Sequence, residues 1–325
     1  MSAGAGEGAV TARVSLDDRV VIVTGAGNGI GRAHALSLAE RGARVVVNDL
    51  GGAVDGSGSS GAAERVVAEI RAAGGTAVAS TDSVATAEGG ANLVRRAVDE
   101  YGRLDAVIHN AGILRDRTLA KMSDTDVTAV LDVHLAGAFH VLRPAWPHLV
   151  ERGYGRIVLT SSSSGLFGNF GQANYGAAKT GLVGLMNVLA LEGARHGILV
   201  NAIAPTAATR MTENLLGDLT DRFDPRHVAA VATFLASEQC QLNRHILTVG
   251  GGRVGRVFLG VTPGWYGGPE PATPDDIHAA VDEICRLDDF VVPDSGADEV
   301  TLIQRVLSGG TGPTAGGSSP AGPAA

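Results

Sequence analysis

The sequence predicts an α/β fold in which a seven-stranded parallel sheet carries helices on both faces. Two observations lead there. Seven short runs rich in Val, Ile and Ala recur along the chain, separated by segments with apolar residues at helical spacing that stop at glycine. The runs are apolar on both faces, as strands covered on both sides must be, whereas a half-wet antiparallel strand would alternate.

The strand candidates are "VVIVTG" (20–25), "RVVVND" (44–49), "TAVAS" (76–80), "LDAVIHN" (104–110), "GRIVLTS" (155–161), "ILVNAIAP" (198–205) and "HILTVGG" (245–251). Helical patterns such as "RAHALSLAERG" and "AAERVVAEIRAAGG" lie between them. Right-handed crossovers between parallel strands then leave a doubly wound, Rossmann-type sheet, and residues 16–252 read as that domain. Residues 1–15 lack an apolar core segment, so a disordered leader is expected rather than a secretory signal. From about Arg253 the alternation stops. A Pro/Gly-marked segment leads to helices over 274–288 and 297–308, so 253–308 is expected to be a small C-terminal appendage serving substrate or dimer contacts. The stretch 309–325, "GGTGPTAGGSSPAGPAA", has no large apolar residue and is expected to be disordered.

Composition narrows the function. Of 325 residues 45% are hydrophobic and only 13 aromatic, so the core rests on Ala, Val, Leu and Ile. A net charge of −8 supplies no basic face for nucleic acid, and no apolar run is long enough for a membrane span. Cys240 and Cys285 offer neither a disulfide framework nor metal-ligand spacing. The expected protein is cytoplasmic and metal-free, with a small-molecule substrate and no nucleic-acid or membrane partner.

"TGAGNGIG" (24–31) stands where the first strand turns into the first helix. Its glycines follow T-G-x-x-x-G-x-G, which lets the backbone of Gly25, Asn28, Gly29, Ile30 and Gly31 approach a pyrophosphate at a helix N-terminus. Asp49 ends the second strand 18 residues after Gly31. A carboxylate there accepts from the adenosine ribose and repels a 2′-phosphate, and no Lys or Arg adjoins it, so NAD is favoured over NADP. A loop or capping carboxylate is the alternative. Asp82 and Ser83 follow the third strand, where Asp82 either meets the adenine edge or caps the next helix. "HNAG" (109–112) puts the small residues Asn110, Ala111 and Gly112 where a cofactor would lie against the sheet, and Pro205 ends the sixth strand beside them.

"TSSSSGLFGNFGQANYGAAK" (160–179) follows the fifth strand, at the carboxyl ends where ligands of such sheets bind. Tyr175 and Lys179 are four residues apart, on one helix face. A free phenol, with a pKa of ~10, is scarcely ionised at neutral pH. A neighbouring cation favours the phenolate, and a serine hydroxyl could hold the substrate oxygen while Tyr175 moves the proton. Taken alone, the pair also fits an ordinary helix surface below a polar loop.

T-G-x-x-x-G-x-G, N-A-G, a serine and Y-x-x-x-K, in this order, resemble the short-chain dehydrogenase/reductase family. The resemblance implies a catalytic serine thirteen residues before the tyrosine, which selects Ser162 and leaves Ser161, Ser163 and Ser164 as strand-end or loop residues. It also implies that Tyr175 and Lys179 touch the cofactor, NAD, and that the molecule is a homodimer or homotetramer. Many members carry asparagine where this chain has His134; relay or positioning is expected of it ahead of packing. His109, in place of the first asparagine of N-N-A-G, is read as structural. "VVVNDLGG", "NAGILRDRT", "VHLAGAF" and "IAPTAATRMT" further resemble the (3R)-3-hydroxyacyl-CoA dehydrogenase units of type 2 peroxisomal multifunctional enzymes, over roughly residues 16–308. That subgroup also carries histidine at the position of His134. The hydratase and sterol-carrier domains of those enzymes have no counterpart here, and no Ser-Lys-Leu ends the chain, so a free-standing enzyme is expected. The implied activity is NAD-dependent oxidation of a (3R)-3-hydroxyacyl-CoA. A hydroxysteroid or other secondary-alcohol dehydrogenase is the alternative; a carrier-protein reductase is opposed by Asp49. A catalytically retired NAD-binding regulator would be free to lose Ser162, Tyr175 and Lys179.

Overall fold

A computed structural model describes residues 13–55, 57, 61–207, 222–287 and 289–308; residues 1–12 of the expected leader and the whole expected tail lie outside the described residues. The chain forms two compact units, one running to Arg256 and a smaller one from Val257.

In the first unit the strands are β1 (Val20–Thr24), β2 (Arg44–Asn48), β3 (Thr76–Ser80), β4 (Ala106–His109), β5 (Gly155–Thr160), β6 (Ile198–Pro205) and β7 (Ile246–Gly250). An eighth, β8 (Arg253–Val257), completes the order β3-β2-β1-β4-β5-β6-β7-β8. Every pairing from β3 to β7 is parallel. The α/β class stands, but the sheet has eight strands where the sequence predicts seven. Gly251 and Gly252, with φ of +56° and +81°, reverse the chain in two residues, a turn that makes an antiparallel hairpin. "RVGRV" escapes sequence detection because it is a largely exposed edge strand without apolar alternation.

The helices are α1 (Gly29–Glu40), α2 (Ala62–Ala72), α3 (Ala87–Tyr101), α4 (Asp124–Leu131), α5 (Gly137–Arg152), α6 (Ser163–Phe167), α7 (Ala173–Ala194) and α8 (Pro225–Leu235). α1 packs on α2 and α8, while α3 packs on α5 and α4 on α7. Alternate strand residues Val21, Val23, Val45 and Val47 join Leu38, Ile70, Val228 and Leu235 in one buried core. α4 and α5 are a single helix interrupted by a π turn at Asp132–Ala136, since Leu131, Asp132 and Gly137 keep right-handed helical angles throughout.

The strand order reverses between β1 and β4, which opens a crevice at their carboxyl ends. At the opposite ends the buried Asp105 accepts from Val20 N at 2.8 Å and pairs with Arg103 at 2.6 Å, locking β1 against β4. The second unit holds α9 (Pro274–Ala279), α10 (Val281–Ile284) and α11 (Gly296–Leu307). Phe258 stacks on Phe290 at 5.3 Å, and Val261 pairs antiparallel with Val291. The helix predicted over 274–288 is thus two short helices meeting at Ala280.

Candidate active site

One cavity of about 850 Å³ gathers the Gly-rich turn, Asp49, Asp82, Ser83, Asn110–Gly112, His134, Ser162, Tyr175, Lys179 and Pro205. That size suits a cofactor with a small substrate.

The turn between β1 and α1 is built by close backbone approach. A Cβ on Gly31 would stand 2.0 Å from Gly25 O, and one on Gly25 2.7 Å from Ala111 Cα. Gly25 also has φ of +64°, which L side chains rarely adopt. Asn110 fastens the turn to β4, its Nδ2 donating to Thr24 O and Gly25 O at 3.1 Å each. The first N–H groups of α1 therefore open into the cavity with no carboxylate in that first turn, a donor set suited to a pyrophosphate. Asp49 accepts from Gly27 N at 2.7 Å and Gly51 N at 2.6 Å, which aims its carboxylate along the same turn. These residues fit a dinucleotide.

Asp82 does not cap α3. Thr86 does, accepting from Gly89 N, while Asp82 accepts from Ser80 Oγ at 2.9 Å and Asn92 Nδ2 at 3.3 Å. The capping alternative is set aside, and Asp82 reaches the cavity wall with both oxygens already engaged.

On the far side β5 ends at Thr160, and Ser162 caps the short α6, accepting from Ser164 N at 3.2 Å. Ser161 is buried and donates to Lys179 O at 2.9 Å; Ser163 and Ser164 begin α6. Of the four, Ser162 is the one whose hydroxyl acts to lower the pKa of the Tyr175 phenol. Burial raises the Tyr175 pKa above its usual value, opposed by the Ser162 hydroxyl and aided by the Asp116 charge. Lys179 is 3% exposed, donates to Thr160 O at 2.6 Å, and is pulled down to about 7 by burial. Its Nζ is 5.5 Å from the tyrosine ring centroid. The phenol that a neighbouring cation is expected to bring toward the working range is instead raised, chiefly by desolvation.

His134 lies in the π turn, 1% exposed and edge-on to Tyr175 at 5.2 Å between ring centroids. Its Nε2 is 3.0 Å from Ile113 N and 2.9 Å from Ile113 O, while Nδ1 has no partner. Burial, seconded by the Lys179 charge, holds its pKa well below the usual value, so the ring is neutral. Gly112 makes room for it: a Cβ there would be 2.3 Å from His134 Cε1.

Thr24 and Asn174 support the site although motif reading leaves them without a role, and His109, read as structural, joins them. Thr24 Oγ1 accepts from Asn110 N and Ala111 N, both at 3.0 Å, so its own proton points to His109 Nδ1 at 3.3 Å. His109 then carries its proton on Nε2 and donates to His134 O at 3.0 Å. Thr24 opens the Gly-rich motif and Asn174 immediately precedes Tyr175, which are the signals that could have found them.

The family model for short chain dehydrogenases matches residues 19–219, a span from β1 past β6 that takes in the turn, Ser162, Tyr175 and Lys179. The chain belongs to the short-chain dehydrogenase/reductase family. It is accordingly an oxidoreductase that uses a nicotinamide nucleotide and acts on CH–OH donors. A short-chain type dehydrogenase/reductase of Mycobacterium tuberculosis is 58% identical over 246 residues, covering 75% of this chain and 86% of that protein. Mouse peroxisomal multifunctional enzyme type 2 is 47% identical over 305 residues, 91% of this chain but 41% of the mouse protein. The solved full-length type 2 enzyme of Drosophila melanogaster superposes with a TM-score of 0.78 at 37% identity, over 91% of this chain and 50% of that one. The chain thus spans half or less of these two multifunctional relatives. Among the described residues no helix is long and apolar enough to cross a membrane.

Proposed function

We propose that this short-chain dehydrogenase/reductase oxidises the 3-hydroxyl of a (3R)-3-hydroxyacyl-CoA to the 3-oxoacyl-CoA with NAD, Tyr175 acting as general base. The observation that carries the reading is that Ser162, Tyr175 and Lys179 line the same cavity as the Gly-rich turn. Ser162 holds the alcohol oxygen, and Tyr175 takes its proton. When bound, the nicotinamide supplies the hydride acceptor. Lys179 brings its Nζ to 5.5 Å from the ring centroid, where a positive charge favours the phenolate. His134, neutral and buried against the same ring, positions Tyr175 rather than exchanging protons with bulk water. Asp49 favours NAD, because its fixed carboxylate would face a 2′-phosphate.

The acyl-CoA assignment draws on the similarity to multifunctional enzyme type 2 and on the motifs shared with its dehydrogenase unit. A homodimer or homotetramer belongs to the same reading. It is supported by Phe139 on α5 and by Val188 and Leu191 on α7, large apolar side chains left exposed.

The test is NADH production from each pure enantiomer at matched concentration. With the alcohol oxygen and hydride path both fixed, exchanging the other two substituents drives the acyl chain or the CoA arm into the wall. A misfit of ~2.7 kcal/mol in the transition state already gives a hundredfold preference, so the R form is expected to win by at least that. Equal rates, a preference for S, or no turnover of either beside rapid oxidation of a hydroxysteroid would overturn the proposal.

A further inference from the structure

We infer that Asn174 is a positioning residue for Tyr175, whose side-chain amide bolts the start of α7 to the cavity wall so that the phenol meets the substrate oxygen. The inference rests on Tyr175 being the base. Asn174 is the second residue of α7 and is 3% exposed. The N–H groups of a first helical turn have no partners within the helix. Asn174 Oδ1 takes one of them, accepting from Tyr175 N at 2.8 Å. Its Nδ2 donates to Arg115 O and to Asp126 O, both at 3.1 Å. Two carbonyls on one side and an N–H on the other fix which end of the amide is nitrogen. The side chain therefore joins three parts of the site: the head of the catalytic helix, the loop after β4 and the start of α4.

The loop it grips is itself held. Leu114 N donates to Val54 O at 3.0 Å, Arg117 N to Gly171 O at 2.9 Å, and Gln172 Nε2 to Asp116 Oδ2 at 2.7 Å. Leu114, Arg115 and Gln172 line the same cavity as the phenol. The tyrosine ring packs on Ile113, Val130 and Ala178, so its body is seated by the core while its backbone is seated by Asn174. The phenol oxygen lies at the far end of a rigid ring, and any play in the first turn of α7 is magnified there. Misplacement by about 1 Å is enough to cost of order a hundredfold in rate.

A helix-start asparagine with only a stabilising role would lower stability and leave the chemistry alone. The two roles separate in a double-mutant cycle with Tyr175, read by single-turnover NADH formation and by calorimetric NAD affinity. Asn174→Ala is expected to lose at least tenfold in rate with NAD affinity within about twofold of wild type, and to lose less than twofold when added to Tyr175→Phe, because residues acting as one unit are non-additive. Asn174→Asp keeps the acceptor toward Tyr175 N but sets a carboxylate against two carbonyls, and should fall at least as far. If Asn174→Ala does not fold, Asn174→Ser, which retains a hydroxyl near that N–H, carries the same cycle. A rate within twofold of wild type, or an equal loss in both Tyr175 backgrounds, overturns the inference. No NADH from the wild type with any hydroxyacyl-CoA or secondary alcohol would overturn the functional reading instead.

Discussion

Asp49 shows how one side chain can be read in two ways and tested for both. Its two backbone bonds, to Gly27 N at 2.7 Å and Gly51 N at 2.6 Å, brace the Gly-rich turn whatever binds there. The same bonds hold a negative charge at the wall of the cavity, where a 2′-phosphate would be repelled. Asp49→Ser is therefore expected to weaken NAD binding and strengthen NADP binding. The affinity ratio should shift by tenfold or more, a difference of about 1.4 kcal/mol, in calorimetric titrations of both cofactors. If both affinities fell together and the ratio held, Asp49 would be a brace for the turn and nothing more. Lys179 carries a related lesson. The spacing of Tyr175 and Lys179 correctly places both on one helix, but periodicity cannot say that the ammonium turns to Thr160 O or that burial raises the phenol.

Between elements, the contact that decides the site is the one between the end of β4 and the π turn. Gly112 follows β4, and His134 fills the space its missing Cβ leaves, 2.3 Å from the ring. Gly112→Ala should therefore act as overpacking and cost about 1–3 kcal/mol. Adding His134→Asn, a shorter side chain, should recover most of that loss. Urea melts of the two single variants and the double variant check this; additive losses would mean the clash is absorbed elsewhere. The sequence reveals less of this element pair than of the strands. β3 and β6 have the bounds their apolar runs predict, because a buried strand writes itself into every residue. β8 leaves no such trace, being exposed and tied by a two-glycine turn. A π turn inserts no polar marker and breaks no apolar run, so Asp132–Ala136 looks like ordinary helix in sequence. The motif positions were legible as candidates. The bonds of Asn174, which reach residues 59 and 48 positions away, were not, since nothing local encodes them.

Across the whole molecule, three histidines on three elements make stability depend on pH. His34 on α1 is fully buried with both ring nitrogens unpartnered, and burial pulls its pKa down to about 3. His109 on β4 is pulled by burial to about 4, and His134 in the π turn lies well below its usual value. All three stay neutral in the folded chain, while in the unfolded chain each takes up a proton near pH ~6.5. The unfolded state thus binds more protons as the pH falls below that value. The stabilisation present above it drains away toward pH 3–4. Each proton taken up contributes a slope of about 1.4 kcal/mol per pH unit, against a total stability of order 5–15 kcal/mol for a domain. Lys179 extends the trend upward: pulled to about 7 when folded and titrating near ~10.5 when unfolded, it adds stability as the pH rises between those values. Stability should accordingly climb from pH 4 to pH 9. His34 is the position to probe, because it makes no hydrogen bond to lose. His34→Leu should remove one proton from the slope between pH 6 and 4, so the variant gains on the wild type steadily as the solution is acidified. Urea midpoints at half-unit steps of pH measure that slope. An unchanged slope in the variant would mean that the unfolded chain, rather than the neutral buried ring, sets the acid limit of this protein.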